Sequence, residues 1–235
     1  MDSLLRVEHV TISYNGKPVV QDVSFELKQG EILGIVGESG SGKSTVIKAI
    51  MGLLGEEGLV TEGDIWYKGE NLTSMSEKKL RGYLGKEIGM VFQDCKAALC
   101  PVRTIGAQIH EAVSEHEKIS RQETWKRAGE IMKKIGLDDS ERVLNSYPFE
   151  LSGGMRQRVV IAIALACRPD ILICDEPTGN LDEVTSMEIM NVLEEINKLG
   201  TTVIMVTHDT EIVDRMKKRV ILLDYGRIVK DYEEG

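Results

Sequence analysis

The chain has 235 residues, a formal net charge of −9 and 42% hydrophobic residues. A chain of this length and composition can bury a substantial core, so disorder is not expected. The acidity disfavours nucleic acid as a partner, because proteins that bind duplexes present a basic surface. The central apolar stretch Val159–Cys167 is shorter than the roughly 20 residues that a membrane-spanning helix needs. Any membrane role is therefore expected to come through a partner.

The four cysteines follow no zinc-binding spacing: Cys95, Cys100, Cys167 and Cys174. A chain of this size does not need disulfides to fold, so we expect free thiols in a reducing compartment. A redox pair formed by Cys95 and Cys100 is the alternative.

The first part of the chain predicts strands and one helix. Val7–Ser13 and Val19–Glu26 alternate loosely around a turn signal at Asn15–Pro18, which predicts an antiparallel hairpin. The apolar run Glu31–Val36 does not alternate, and such runs are typical of strands covered on both faces. Helical spacing of apolar residues then predicts a helix over Lys43–Leu54.

The rest of the chain alternates between strand and helix patterns, with a long helical stretch in the middle. The predicted elements are strands at Gly63–Tyr67 and Ile88–Phe92, a helical insertion at Ile105–Ala166, a strand at Ile171–Cys174, an amphipathic helix at Ser186–Leu199 and a strand at Thr202–Val206. Strand, helix and strand in this order indicate an α/β domain with a largely parallel sheet.

One motif predicts a phosphate site. Gly37–Ser44 matches G-x-x-x-x-G-K-[ST] at every position, follows an apolar strand and opens a helix. Its glycines let backbone N–H groups point at phosphate oxygens, Lys43 reaches the β- and γ-phosphates, and Ser44 ligates Mg²⁺. A glycine-rich turn without chemistry is the alternative. The residues predicted to bind ATP here are Gly37, Ser39, Gly40, Ser41, Gly42, Lys43, Ser44 and Thr45.

Two later strand ends supply further polar groups. Asp175 ends the strand Ile171–Cys174 and is predicted to hold Mg²⁺, since a P-loop needs a carboxylate from another core strand. Glu176 follows and is predicted to polarise the attacking water. His208 follows the strand Thr202–Val206, where ligands gather in open α/β sheets. Solvated strand-end charges and a structural histidine are the alternatives.

The segment Leu151–Arg158 (LSGGMRQR) resembles the signature loop of the ABC ATPases. In that family this loop binds the γ-phosphate held by the opposite subunit, which assigns Ser152, Gly153 and Gly154 to a site in the partner. A serine hydroxyl, glycine N–H groups and a helix N-terminus make an anion site on physical grounds as well. The alternative is a plain helix cap.

Other positions also align with this family. The resemblance implies that Tyr14 stacks on adenine, that Gln93 contacts Mg²⁺ and water, and that Asp182 belongs to the D-loop at the dimer interface. Two residues depart from the common pattern. Met155 stands where many members have glutamine, and Cys95 stands where proline is common, which leaves that loop less rigid.

Two branches of the family are resembled by different parts of the chain. The segments Gly34–Ser39, Lys86–Asp94 and Tyr147–Arg158 are similar to ATPases of dipeptide, oligopeptide and nickel importers, in which Met155 is usual. The segments Asp175–Asp182 and Glu211–Val220 are more similar to cell-division and lipoprotein-export ATPases. We expect an importer ATPase for peptides or nickel. The alternative is a complex that signals or extrudes.

The resemblance implies an α/β fold of the P-loop NTPase class and ABC type. It combines a mostly parallel core sheet, an N-terminal antiparallel β part and a helical insertion. One domain over residues 1–235 is expected, with a nucleotide-binding core at 1–93 and 166–235. A helical subdomain at 94–165 carries the signature loop.

The same resemblance implies an ATPase that uses ATP and Mg²⁺ at the cytoplasmic face of the cell membrane, as a peripheral protein. Its expected partners are membrane-spanning permease subunits, a second ATP-binding subunit (a copy or a paralogue) and a solute-binding protein. Nucleic acid is not expected among them.

Overall fold

The computed structural model describes residues 3–179, 181–209, 215 and 217–233. Parts of the two segments similar to cell-division ATPases, at 180, 211–214 and 216, lie outside the described residues. The chain divides into two compact units, and we refer to them as the first unit (Met1–Leu84 with Thr202–Gly235) and the second unit (Gly85–Thr201). The subdomain boundaries predicted from the sequence stay a prediction.

The first unit combines two groups of strands with two short helices. The elements are β1 (Ser3–Tyr14), β2 (Lys17–Lys28), β3 (Ile32–Val36), α1 (Lys43–Ile50), β4 (Gly58–Tyr67), β5 (Glu70–Asn71), α2 (Glu77–Arg81), β8 (Thr202–Thr207), β9 (Arg219–Asp224) and β10 (Arg227–Tyr232). In one group of strands β2, β1, β4 and β5 are antiparallel neighbours in that order. In the other group β3 lies between β8 and β9 and is parallel to both, and β10 is antiparallel to β9.

The predicted N-terminal hairpin is confirmed. Tyr14 pairs with Lys17, so the turn consists of Asn15 and Gly16, whose φ angles are 49° and 75°. Two positive φ angles match the turn that suits the right-handed twist of two antiparallel strands, and Asn-Gly adopts it readily. The sequence therefore fixes this hairpin locally.

The strand β3 and the helix α1 enclose the predicted phosphate loop. All five residues of β3 are buried, as the unalternating apolar run predicts. The helix ends at Ile50, so the predicted extension to Leu54 is wrong. Gly52 adopts a φ of 62°, which ends a right-handed helix, and a Cβ there would lie 2.4 Å from Leu80 Cδ2. The left-handed backbone at Gly52 thus ends the helix before the apolar spacing runs out.

The second unit contains one parallel pair of strands, β6 and β7, and most of the helices. The elements are β6 (Ile88–Val91), α3 (Cys95–Ala98), α4 (Ile105–Ser114), α5 (Arg121–Lys134), α6 (Ser140–Asn145), a 3₁₀ turn (Pro148–Glu150), α7 (Gly153–Leu165), β7 (Ile171–Asp175) and α8 (Glu183–Lys198). The predicted helical stretch between residues 105 and 166 is confirmed.

Burial in the second unit explains its apolar patterns. The charge-free stretch near the centre of the chain lies largely in α7, where Val159 and Ile161 are fully buried. In the described part of the chain no helix combines the length and apolarity needed to cross a membrane. On α8 the predicted apolar face is buried at Ile189, Leu193 and Ile196. This helix starts three residues earlier than predicted, because Asp182 caps it.

All four cysteines are free thiols, as expected, and Cys95 forms no disulfide with Cys100. Burial raises the pKa of the Cys174 thiol, and the pKa values of Cys95 and Cys167 are raised for the same main reason. Raised pKa values keep these thiols protonated and poorly nucleophilic.

Candidate functional site

The predicted phosphate loop, Gly37–Ser44, connects β3 to α1 and is called the P-loop below. Its φ angle at Gly37 is 154°, and a Cβ there would lie 2.1 Å from the carbonyl oxygen of Leu223. Gly42 is the N-cap of α1 with a φ of 101°, a left-handed conformation that disfavours side chains with a Cβ. The backbone can curl only because glycine occupies these positions. The loop therefore leads directly into the N-terminus of α1, a position where anions bind.

Two side chains of the P-loop are buried and polar. The Lys43 side chain is 4% exposed, and its Nζ donates hydrogen bonds to the carbonyl oxygens of Gly37 and Glu38, both at 2.8 Å. The ammonium is thereby held across the loop. The Ser41 hydroxyl is buried, and within the described part of the chain it has no hydrogen-bond partner. A buried, unsatisfied hydroxyl in the same loop as a buried ammonium group fits a phosphate oxygen as the missing partner.

The other predicted residues of the first unit lie at strand ends. Val36 pairs with Thr207 in the parallel ladder of β3 and β8, so His208 follows its strand at the same edge at which the P-loop begins. The His208 side chain is exposed. Tyr14 ends β1 and is half-buried, with its Cε1 2.8 Å from where a Cβ on Gly58 would lie. The ring therefore contacts the Gly58 backbone. This position is compatible with a packing role for Tyr14 and with stacking on adenine.

In the second unit the structure brings together three predicted residues. Asp175 ends β7 and is 8% exposed, while Gln93 follows β6, the parallel neighbour of β7. The Gln93 Nε2 donates a hydrogen bond of 3.0 Å to Glu176 Oε2. Glu176 has a φ of 46°, which is costly outside glycine and is found at strained functional positions. The nearly buried Asp175 carboxylate and the Gln93 amide are oxygen ligands of the kind that Mg²⁺ takes. The Glu176 carboxylate beside Gln93 fits a water molecule as its hydrogen-bond acceptor.

The segment Leu151–Gly154, called the Ser152 loop below, leads into α7 and includes the first two residues of that helix. Ser152 is the N-cap of α7, and its hydroxyl accepts a hydrogen bond of 3.3 Å from the N–H of Met155. Ser152 is exposed, and Gly153 and Gly154 are half-buried, so the first N–H groups of the helix face accessible space. The helix N-terminus adds a positive partial charge.

Beside this loop lies a cavity of about 400 Å³ within the second unit. Asp182 lines it and caps α8, accepting hydrogen bonds from the Thr185 hydroxyl at 2.6 Å and the Thr185 N–H at 3.0 Å. These bonds lower the pKa of Asp182. Glu188 and Arg158 form an ion pair on the same wall. The cavity offers hydroxyl, N–H and guanidinium donors to an anion.

A protein-family comparison matches residues 20–179 to the model described as "ABC transporter". This span covers more than half of the chain and contains the P-loop, the Ser152 loop and the strand β7. The chain belongs to the ABC transporter family. The resemblance inferred from LSGGMRQR and the P-loop is therefore confirmed.

Curated relatives within the family include transport proteins for peptides and for a metal chelate. The chain is 43% identical to a probable peptide ABC transporter ATP-binding protein, y4tR, of Sinorhizobium fredii, over 97% of this chain and 70% of the relative. It is 44% identical to the oligopeptide transport protein AmiE of Streptococcus pneumoniae, over 90% of this chain but only 60% of the relative's length. It is 40% identical to the metal-staphylopine import protein CntD of Staphylococcus aureus, over 97% of this chain and 85% of that relative.

Solved structures confirm the fold. The dimeric structure of MJ0796, titled a bacterial ABC transporter cassette, matches with a TM-score of 0.84 and 33% identity, covering 97% of this chain and 98% of that one. A post-hydrolysis dimer of the same cassette bound to ADP and Pi matches with a TM-score of 0.83. The predicted α/β fold of ABC type and the enzyme class, an ATPase that binds ATP, are confirmed at the level of the family.

Some residues of this site were not predicted from the sequence. Thr185, three residues after Asp182, follows the spacing of a helix cap, and that signal could have indicated it. Arg156 lies within LSGGMRQR, and the motif by itself predicts no role for it, although its side chain contacts the backbone of the Ser152 loop. No local pattern indicates which carbonyl groups an arginine contacts, because that depends on how neighbouring segments fold together.

Proposed function

We propose that this chain is the ATP-hydrolysing subunit of an ABC importer for peptides or metal chelates and acts as a dimer with a copy or a paralogue. The observation that carries the proposal is the P-loop. A curled glycine loop holds the buried ammonium of Lys43 and also contains a buried Ser41 hydroxyl that lacks a hydrogen-bond partner among the described residues. Membership of the ABC transporter family supports ATP as the ligand.

The first unit supplies the groups that hold the nucleotide. P-loop N–H groups and Lys43 bind phosphate oxygens, Ser44 is the Mg²⁺ ligand at the start of α1, and Thr45 follows it. Ser39 and Gly40 line the exposed rim of the loop. Tyr14 stacks on adenine, and His208 contacts the γ-phosphate from the end of β8.

The second unit supplies the groups that act on the reacting water. Glu176 accepts a proton from the water as it attacks, and Gln93, already bonded to Glu176, orients both. Asp175 would hold Mg²⁺ through its carboxylate, and Gln93 would be a further ligand. When bound, Mg²⁺ would supply positive charge to the phosphate oxygens.

In the dimer, the Ser152 loop of one protomer completes the catalytic site of its partner. Ser152, Gly153 and Gly154 of one protomer bind the γ-phosphate held by its partner, and Asp182 lies at the dimer interface. The exposed N–H groups of α7 and the cavity beside them support this role. ATP then joins the two protomers through charge that both bind, and loss of phosphate after hydrolysis weakens the dimer. The dimeric MJ0796 cassette supports this arrangement.

The importer assignment depends on the relatives and the sequence resemblance. These relatives are named for the transport of peptides, oligopeptides and metal-staphylopine. We therefore propose permease subunits and a solute-binding protein as partners and a peripheral location at the cytoplasmic face of the membrane. Co-purification from native membranes tests this: a multi-span permease with a solute-binding protein supports import, and a septal or lipoprotein-export membrane partner contradicts it.

The ATPase assignment is tested with Glu176→Gln. We expect kcat to fall by roughly 10²- to 10⁴-fold, because the water loses its general base, while ATP binding is kept and an ATP-bound dimer accumulates. Phosphate release and sedimentation velocity measure the two effects. Glu77→Gln, which changes an exposed carboxylate on α2, is the matched control. Turnover at the wild-type rate in Glu176→Gln would remove Glu176 from this role.

A further inference from the structure

The turn between β9 and β10 lies against the P-loop. It consists of Tyr225 and Gly226, because Asp224 at the end of β9 pairs with Arg227 at the start of β10. The N–H of Gly226 donates a hydrogen bond of 3.0 Å to the carbonyl oxygen of Ser41 in the P-loop. A residue far along the chain therefore contacts the backbone of the predicted phosphate site.

The other side of Gly226 faces β2. Its carbonyl oxygen accepts a hydrogen bond of 2.7 Å from the N–H of Gln21. Its φ angle is 74°, and a Cβ there would lie 2.1 Å from the carbonyl oxygen of Val19. Both neighbours are backbone groups of a strand, which cannot move aside alone as the end of a flexible side chain can. Only glycine therefore fits between β2 and the P-loop at this position.

The bond to Ser41 determines where one N–H group of the P-loop points. The carbonyl group of Ser41 and the N–H of Gly42 belong to the same peptide unit, and the described residues include no cis peptide bond. In a planar trans unit these two groups point in opposite directions. Because the Ser41 carbonyl points at Gly226, the Gly42 N–H points away from the turn. Gly42 is the N-cap of α1, and N–H groups at a helix N-terminus bind anions.

We propose that Gly226 is a positioning residue of the phosphate site, which holds the Gly42 N–H in its phosphate-binding direction through the bond to Ser41. The inference rests on the proposed function, in which the P-loop binds the phosphates of ATP. Gln93 and Glu176, which act on the attacking water in that function, belong to the second unit. Loss of the Gly226 bond should therefore raise the KM for ATP and leave kcat nearly unchanged.

A second turn of the same kind separates this role from a purely local one. Lys68 and Gly69 connect β4 to β5 with φ angles of 48° and 80°, and Tyr225 and Gly226 have φ angles of 45° and 74°. Two positive φ angles favour glycine in both turns. A Cβ at Gly69 would meet nothing within 4 Å. Gly69→Ala therefore introduces only the strain of a positive φ, whereas Gly226→Ala adds the clash with β2.

The first arm of the test measures binding of Mg²⁺-ADP, for which the P-loop of a single protomer is enough. Calorimetric titration of the full chain should show affinity about tenfold weaker than wild type in Gly226→Ala, because displaced N–H groups lose hydrogen bonds to a charged phosphate. Gly69→Ala should stay within about twofold of wild type. Equal losses of affinity in the two variants, or none in Gly226→Ala, would overturn the proposal.

Steady-state ATPase assays on the same variants separate binding from chemistry. In Gly226→Ala the KM for ATP should rise by a factor similar to the loss of ADP affinity, and kcat should stay within about twofold of wild type. A fall in kcat without a rise in KM would contradict a positioning role at the phosphate site.

The second arm removes the hydrogen bond without adding an atom. Glycolic acid in place of Gly226 replaces the amide by an ester, which has no N–H and creates no clash with Val19. Affinity for ADP should fall about fivefold, as expected for one hydrogen bond, and the same ester at Gly69 should leave it unchanged. This arm decides alone if Gly226→Ala loses its cooperative thermal unfolding. Wild-type ADP affinity in the Gly226 ester overturns the proposal.

Failure of the proposed function would give a different pattern. If the P-loop does not bind nucleotide, the wild type itself binds no ADP, or Lys43→Ala binds it equally well. If Gly226 has no positioning role, the wild type binds ADP, Lys43→Ala binds it more weakly, and the Gly226 ester matches the wild type. The two failures are therefore distinguishable.

Discussion

The P-loop and the Ser152 loop both place backbone N–H groups at the start of a helix, but they are built differently. The P-loop uses glycines at positive φ, and it holds a buried ammonium across its own carbonyl groups. The Ser152 loop has no residue at positive φ, caps its helix with a serine hydroxyl and is held from behind by Arg156. The first loop is concave and bears its own cation, while the second is an exposed helix tip.

This difference indicates how the two loops would divide the binding of ATP in the proposed dimer. A concave loop with an internal cation can bind phosphate within one protomer, because it supplies both geometry and charge. The Ser152 loop has no cation among its own four residues and offers its N–H groups and the partial charge of the helix, so on its own it binds an anion weakly. The P-loop should therefore determine affinity for nucleotide, and the Ser152 loop should determine dimerisation.

The largest expected effect on the free energy of unfolding comes from adding a Cβ to the P-loop at Gly37. Gly37→Ala should lower the free energy of unfolding by about 3 kcal/mol or more, because the new Cβ would lie 2.1 Å from a backbone carbonyl that cannot move alone. Gly40→Ala is the matched variant: its Cβ meets nothing within 4 Å, and only the positive φ of 84° costs about 1 kcal/mol. Urea unfolding measures both. Equal losses in the free energy of unfolding for the two variants would show that the surrounding backbone moves and relieves the crowding at Gly37.

Next in size is the effect of removing the internal cation. Lys43→Ala should weaken binding of ATP to the monomer by roughly a hundredfold, because charged hydrogen bonds to phosphate are lost. Lys48→Ala, which removes an exposed lysine from the same helix, is the control. Ser152→Ala should leave monomer affinity unchanged and weaken dimerisation. Calorimetric titration checks this, and equal monomer affinities for wild type and Lys43→Ala would contradict the assignment.

A smaller effect is expected from the two glycines of the helix tip. Alanine at Gly153 has 3.8 Å of clearance from Leu181, so Gly153→Ala should stabilise the chain by about 0.5–1 kcal/mol through helix propensity. Alanine at Gly154 would lie 2.7 Å from Thr185 Cγ2 and disturb the hydroxyl that bonds Asp182, which cancels that gain. Denaturant midpoints compare the two variants. A gain at both positions would mean that Thr185 moves freely.

The smallest effect is the pH dependence of the cap on α8. Hydrogen bonds from Thr185 lower the pKa of Asp182 in the folded chain, so its stabilising contribution is present above the usual aspartate pKa of about 4 and is lost as pH falls through the lowered value. Asn is nearly as good a cap but does not titrate. The Tm difference between wild type and Asp182→Asn should shrink by about a degree between pH 6 and pH 2.5. A constant difference would contradict the lowered pKa.

Much of this molecule follows from local patterns. The turn at Asn15 and Gly16, the buried run of β3, the apolar face of α8 and the P-loop motif each report a constraint that neighbouring residues impose on one another. These features depend on φ preferences and on periodicity, which a sequence displays directly. The family resemblance followed from the same kind of short segment.

Tertiary structure decided what depends on distant neighbours. The need for glycine at Gly37 is set by the backbone carbonyl of Leu223, and the bond between Gln93 and Glu176 is set by the pairing of β6 with β7. No periodicity encodes such contacts, because they arise only when segments far apart in the chain are buried together. The sequence by itself determined which chemical groups are present and on which local element, and the packing of those elements determined which groups meet.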